Sequence, residues 1–189
     1  MIERTLVLLK PDAVQRGLVG EIISRFERCG LKIVGMKMHK ADAELAGIHY
    51  AEDEQWLVSV GEKSLNSYNK RGVKVDKTPR EIGALIRDQL MQYISSSPIV
   101  ALVLEGHDAV KHVRKVVGPT APKDAAPGTI RGDFSFETYH MADTLERPIK
   151  NLIHASGEVD EAEREIAVWF SEDELFEWEY LIEKIFYGK

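Results

Sequence analysis

Thr5-Leu6-Val7-Leu8-Leu9, followed at once by Lys10-Pro11-Asp12, is the stretch that decides the fold. A run this short, apolar from Leu6 onward and stopped by a proline, fits a buried strand and not a helix. Ile99-Val100-Ala101-Leu102-Val103-Leu104 repeats the signature and predicts a second, central buried strand. The chain between and around these two strands has to cover both of them.

Gly17 to Cys29 carries Leu18, Val19, Ile22, Ile23 and Phe26 at helical spacing, with Gly30 where a helix-terminating glycine belongs. Leu31 to His39 alternates as a strand. Asp42 is placed to cap a helix containing Leu45, Ile48 and His49, and Glu52 to Asp76 reads as helix plus loop. Thr78-Pro79-Arg80-Glu81 holds a capping-box pair with proline at the first helical position, ahead of an apolar face from Ile82 to Ile94. Asp108 is a candidate cap for a helix ending at Gly118. Residues 118–132 hold three of the seven prolines and three of the 14 glycines, which predicts an irregular loop. Asn151-Leu152-Ile153-His154 reads as a short strand. Glu158 to Phe170 reads as a helix with Ala162, Glu163, Ile166 and Trp169 on its period. Ser171-Glu172-Asp173-Glu174 is a second capping box, expected to open a C-terminal helix bearing Leu175, Trp178, Leu181, Ile182 and Ile185. The order points to an α+β fold, a ferredoxin-like βαββαβ antiparallel sheet with helices on one face. A parallel doubly wound sheet is the competing architecture.

The 189 residues suit one domain. With 44% hydrophobic and 30% charged residues, wholesale disorder is excluded. The single cysteine, Cys29, allows neither an internal disulfide nor a finger-type zinc site. No signal peptide opens the sequence, and no apolar run reaches the roughly 18 residues that span a bilayer, so a cytoplasmic location is expected. A net charge of −6 lacks the basic footprint of a nucleic-acid binder. It leaves room for a local basic pocket that holds a small anion.

The common phosphate motifs are missing: there is no G-x-x-x-x-G-K-[ST], and no G-x-G-x-x-G follows a strand. Cations stand instead beside structural breaks. Lys10 ends a buried strand, where an unpaired ammonium cannot stay buried. Arg114 precedes Thr120 across Gly118, and Arg131 ends the proline-rich loop. Taken singly, each reads as an ordinary surface ion pair; brought together, they make a polyphosphate clamp. His154 is followed by the small residues Ala155, Ser156 and Gly157, which leave space for a ligand at the ring. Glu165 lies one element later, where it can turn back to the imidazole. A carboxylate on one ring nitrogen fixes the tautomer and leaves the other as a nucleophile. A lone histidine is more often a satisfied core residue.

Five collinear blocks carry a resemblance. They are Thr5 to Gly17; His49-Tyr50; Val113-Arg114 through Gly118-Pro119-Thr120; Ala126 to Phe134; and Asn151 to Ser156 with Glu163 to Phe170. Together they resemble the nucleoside diphosphate kinases, in the longer form found in archaea and some bacteria. The resemblance implies a phosphotransferase that passes the terminal phosphoryl group of a nucleoside triphosphate to a diphosphate by a ping-pong route. It implies that His154 is the phosphorylated histidine, with Glu165 on its second nitrogen and Ser156 supporting that carboxylate. Lys10, Arg114, Thr120 and Arg131 would grip phosphates, Asn151 and Lys10 would meet the sugar 3′-hydroxyl, and Tyr50 would stand beside the ring. Asp133 would be structural. Magnesium (Mg2+) is expected with the nucleotide, and a homo-oligomer, a dimer-based tetramer or hexamer, is implied.

The chain departs from the family pattern in three places. Ala155-Ser156-Gly157-Glu158 replaces the usual Gly-Ser-Asp-Ser. Insertions at about 54–95 and 135–150 decorate a single domain spanning 1–189, the second including Tyr139, His140 and Met141. Trp56, Leu57 and Val58 are the candidates to stack on the base. A different class of function, a nucleotide-binding interaction module with lost catalysis, keeps the same fold; intact His154, Glu165 and Lys10 argue against it.

Overall fold

A computed structural model describes residues 2–188. Its order is β1 (Ile2–Leu9), α1 (Pro11–Gln15), α2 (Val19–Arg28), β2 (Lys32–His39), α3 (Ala43–His49), α4 (Glu54–Lys70), α5 (Pro79–Ser95), β3 (Ile99–His107), α6 (Ala109–Val117), α7 (Ile130–Phe134), α8 (Tyr139–Thr144), β4 (Ile153–Ala155), α9 (Val159–Trp169) and α10 (Leu181–Tyr187). The four strands form one antiparallel sheet in the order β2-β3-β1-β4. This is the expected ferredoxin-like arrangement, and the parallel alternative is gone.

Helices cover both faces of the sheet, not one. The reason lies in the two central strands, which are apolar at successive positions and so need cover on each side. Val7, Leu9, Val100, Leu102 and Leu104 face Ile22 and Phe26 of α2 and Val113 and Val117 of α6. Leu6, Leu8, Ala101 and Val103 face Ala46 of α3, Ile94 of α5, and Ile166 and Trp169 of α9. Strand alternation thereby places the site: in β4, Ile153 pairs with Leu9 and joins the first core, while His154 pairs with Leu8 and turns to the α3/α9 side.

The local signals behave unevenly. Asp42 caps α3 through the Leu45 N–H, and Thr78 with Glu81 forms the full capping box of α5. Gly118, at φ +86°, ends α6 as expected. Asp108 occupies the N-cap position of α6 but is left-handed and makes no side-chain cap; the Glu3 carboxylate, arriving from β1, accepts the Val110 N–H instead. Residues 118–132 are not wholly irregular, because Thr129 accepts the Gly132 N–H and starts α7. The expected strand at Asn151 begins only at Ile153. The second capping box forms but opens a single 3₁₀ turn, Glu172–Glu174. The chain beyond it is captured by β2: Phe176 N–H donates to Val34 O at 2.7 Å and Trp178 Nε1 to Ile33 O at 3.0 Å. That tertiary pull delays the last helix to Leu181, and its Leu181 and Ile185 stay exposed.

The helices α4 and α5 form an antiparallel pair packed backbone to backbone. A Cβ on Gly61 would stand 1.7 Å from Pro79 O, and one on Gly83 2.0 Å from Leu57 O. The segment carrying α8 is tied to the end of α4 by an ion pair from Arg71 Nη2 to Asp143 Oδ2 at 2.5 Å. Among the described residues no helix is long and apolar enough to cross a membrane.

Candidate active site

The site is built where β1 ends beside the start of β4. Asn151, Leu152 and Ile153 form a γ-turn: the Ile153 N–H bonds Asn151 O at 2.8 Å, and Leu152 sits at φ +68°. A buried, non-glycine residue in that conformation is costly and persists only where neighbours hold it. Here they do. Asp12, on the short helix after Lys10-Pro11, accepts the Leu152 N–H at 3.1 Å, and the Lys10 N–H donates to Leu152 O at 2.8 Å. The turn delivers His154 one residue later.

The imidazole of His154 presents Nε2 to both oxygens of Glu165, at 3.0 and 2.9 Å. Ser156 Oγ donates to Glu165 Oε2 at 2.6 Å. Glu165 is 5% exposed and lies on the buried stripe of α9 with Ala162, Ile166 and Trp169. Glu163, read from the sequence as part of that stripe, faces solvent. Burial opposes the ionised form of Glu165, but the hydrogen bond and charge of His154, with His49 and Ser156, prevail and hold the carboxyl below its usual range. With Nε2 engaged, Nδ1 is the ring nitrogen left without a hydrogen-bond partner among the described residues.

His49 closes one side, its ring 4.7 Å from that of His154 and nearly perpendicular to it. It accepts the Trp169 indole N–H at Nδ1 over 3.3 Å. Because an indole only donates, Nδ1 must be unprotonated and the proton sits on Nε2. Burial, then the His154 charge, lowers its pKa to about 3, so it stays neutral. Tyr50 stacks edge-on against His49 at 4.6 Å, and burial followed by the Glu165 charge pushes its phenol up. The sequence drew attention to His49 only as the neighbour of Tyr50; its ring contact comes from the packing of α3 against α9.

On the other side stand the cations. Lys10 is buried and donates from Nζ to Asn151 Oδ1 at 2.8 Å, while Asn151 Nδ2 donates to Thr120 O at 2.8 Å. Burial, then the Arg131 charge, lowers Lys10 to about 8, with Asp12 opposing. Arg131 is also buried. It donates from Nε to Asn151 O, from Nη1 to Gly118 O and from Nη2 to Ile153 O, at 3.1, 2.9 and 2.6 Å. Burial lowers it to about 10, so it remains a cation at neutral pH. Arg114 projects from the last turn of α6 into solvent, with Nη1 3.8 Å from the point where a Cβ on Gly157 would be. The packing thus gathers Lys10, Thr120, Arg131, Asn151 and His154 around one turn, with Arg114 at its rim. Asp133 lies apart, accepting the Gly128 N–H and pairing with Arg25 at 2.6 Å.

The base candidates separate. Leu57 is 1% exposed and packed into the α4/α5 contact, so it cannot stack on a ligand; Trp56 and Val58 are partly open. A partly exposed imidazole with one nitrogen fixed by a buried carboxylate, beside three cations, can accept an electrophilic phosphoryl group and neutralise its charge.

The family model described as nucleoside diphosphate kinase matches residues 3–57 and 83–175. The chain is 51% identical over 181 residues to a nucleoside diphosphate kinase of Pyrobaculum aerophilum, covering 93% of this chain and 99% of that one. It is similar to the crystal structure of an NDP kinase from the same organism, with a TM-score of 0.91 and 48% identity over 94% of this chain and 100% of that one. It is similar too to a transition state mimic of nucleoside-diphosphate kinase from Borrelia burgdorferi with bound vanadate and ADP, with a TM-score of 0.80 and 36% identity over 98% and 97% of the two chains. Sheet order, site and likeness agree: this chain belongs to the nucleoside diphosphate kinase family of enzymes.

Proposed function

We propose that the protein transfers the terminal phosphoryl group of a nucleoside triphosphate to a nucleoside diphosphate through a phosphohistidine on His154. The observation that carries this reading is the pair of contacts from His154 Nε2 to Glu165. With the Nε2 proton donated to the carboxylate, the Nδ1 lone pair attacks the terminal phosphorus. The N–P bond forms as the bond to the diphosphate oxygen breaks, and the departing diphosphate carries that electron pair. The imidazole gains positive charge, which Glu165 offsets. A second diphosphate then attacks the same phosphorus and the N–P bond breaks, restoring the ring.

Lys10, Arg114, Thr120 and Arg131 grip the phosphates in this scheme, Lys10 and Asn151 reach the sugar 3′-hydroxyl, and Tyr50 walls the ring pocket. Magnesium enters as part of the nucleotide substrate. Glu165 is engaged by His154 and Ser156, which supports a cation held mainly by phosphates and water. Trp56 and Val58 are the base contacts. We read residues 1–189 as one domain with insertions at about 54–95 and 135–150, working as a dimer-based tetramer or hexamer.

The test is incubation with γ-labelled ATP. Label that is acid-labile and base-stable is expected on the chain, and His154→Ala is expected to abolish it while nucleotide binding stays within a few-fold. Labelling retained in His154→Ala would move the nucleophile elsewhere. A wild-type chain that binds nucleotide without taking label would favour a non-catalytic binding module.

A further inference from the structure

Gly157 leaves beside its backbone a space that a neighbouring side chain occupies. Its φ lies outside the left-handed range, so its backbone admits a side chain, but a Cβ built there would stand 2.6 Å from Glu161 Oε2. The Glu161 carboxylate therefore fills the volume that a side chain at 157 would take. It reaches that volume from the first turn of α9 and accepts the Gly157 N–H at 2.6 Å, a short, charge-assisted bond. Glu158, the N-cap residue of α9, makes no side-chain cap, so the fastening of this helix entrance comes from Glu161. The segment so fastened is the one that leaves His154 and carries Ser156, the donor to Glu165. The same point beside Gly157 lies 3.8 Å from Arg114 Nη1, so the Glu161 carboxylate and the guanidinium flank one space without forming a direct ion pair.

We propose that Glu161 is a positioning residue for the phosphoryl transfer: its carboxylate replaces the missing side chain of Gly157, ties down the turn behind His154, and draws the Arg114 guanidinium over that turn. The two roles separate chemically. The hydrogen bond to Gly157 needs only an acceptor oxygen, whereas the pull on Arg114 needs a negative charge. The proposal rests on the phosphohistidine reading of His154.

It also makes positions 157 and 161 interchangeable as the source of one carboxylate. Four variants test it, each read by the rate of label uptake from γ-labelled ATP, by kcat and KM for the diphosphate, and by Tm. Glu161→Ser is expected to slow labelling about tenfold and raise KM, losing both roles. Gly157→Asp alone is expected to be impaired as much, because two carboxylates contend for one space. The double variant Gly157→Asp/Glu161→Ser is expected to recover to within about threefold of wild type. Glu161→Gln is expected to keep the labelling rate while raising KM several-fold, since it keeps the acceptor and drops the charge. The proposal is overturned if the double variant is no better than the worse single variant, or if Glu161→Ser lowers Tm while labelling and KM stay unchanged. A wild-type chain that takes no label defeats the phosphohistidine reading itself; normal wild-type labelling without the rescue pattern defeats this inference alone.

Discussion

Asp12 Oδ2 accepts the backbone N–H of Leu152 at 3.1 Å, joining residues 140 apart in sequence and clamping the turn that presents His154. The bond is buried, and Leu152 is held at φ +68°. Asp12→Ala leaves a buried N–H without a partner in a strained turn, and the expected loss is about 1–3 kcal/mol of unfolding free energy. Urea denaturation measures it. Asp12→Asn retains an acceptor oxygen and should lose less. Equal stability of Asp12→Ala and wild type would remove the clamp from the account.

Lys10 gives opposite pH signs for stability and binding. Its folded value is about 8 against an ordinary 10.5, so between these limits the unfolded chain binds a proton that the folded chain does not. Stability from this group therefore rises with pH across that window, relieving a buried-charge cost of about 3 kcal/mol, an order-of-magnitude figure. Phosphate grip requires the charged form, so KM for the diphosphate should climb above about pH 8. Lys10→Met should flatten both trends. The checks are unfolding curves and KM, wild type against variant, over that pH range; a KM that falls while stability rises would contradict this placement of Lys10.

Glu165→Gln is expected to cut the labelling rate about 100-fold, because an amide cannot offset the charge that grows on the imidazole. Ser156→Ala removes one charge-assisted bond at 2.6 Å and should cost about tenfold. The carboxyl of Glu165 is held below its ordinary 4.5, so its stabilising share is full above that pH and fades as pH falls through the lowered value. The stability gap between wild type and Glu165→Gln should narrow on acidification. A gap that widens would show the carboxylate to be a burden on the fold.

The α4/α5 pair depends on two backbone approaches too close for any Cβ. Gly61→Ala and Gly83→Ala are each expected to destabilise the protein by about 1–3 kcal/mol or more, through overpacking. Gly20→Ala, inside α2 with open space around its Cβ position, should be neutral or stabilise by about 1 kcal/mol. Thermal melts compare the three. A tolerated Gly61→Ala would mean that the two helices sit further apart.

Legibility followed the range of the interaction. Local chemistry was readable: Thr78 with Glu81, Asp42 at its helix start and Gly118 at a helix end act within a turn and appear where their spacing places them. The two apolar runs announced buried central strands, but one strand run cannot say how many layers cover it, and both faces proved covered. Signals that a distant partner could override were misleading. The capping box at Ser171 was outbid by the hydrogen bonds of β2 to Phe176 and Trp178, and the cap at Asp108 was taken over by Glu3. In the site, His154 and Glu165 were legible because helical return brings a residue eleven positions on back towards the strand, and the contacts are there. Asp12 was not, since nothing at Leu152 marks a positive φ. Glu165 itself carried a signal that the periodicity reading gave to Glu163: an acidic residue on an apolar stripe is paired or it is not there.

Arg131 spends three donors on the carbonyls of Gly118, Asn151 and Ile153 before any ligand arrives. A free arginine loses about 2 kcal/mol of rotamer freedom when it is immobilised. Here that loss falls on the folding reaction, so an arriving anion meets a guanidinium already frozen in place, and the affinity it gains is drawn from the stability of the empty protein.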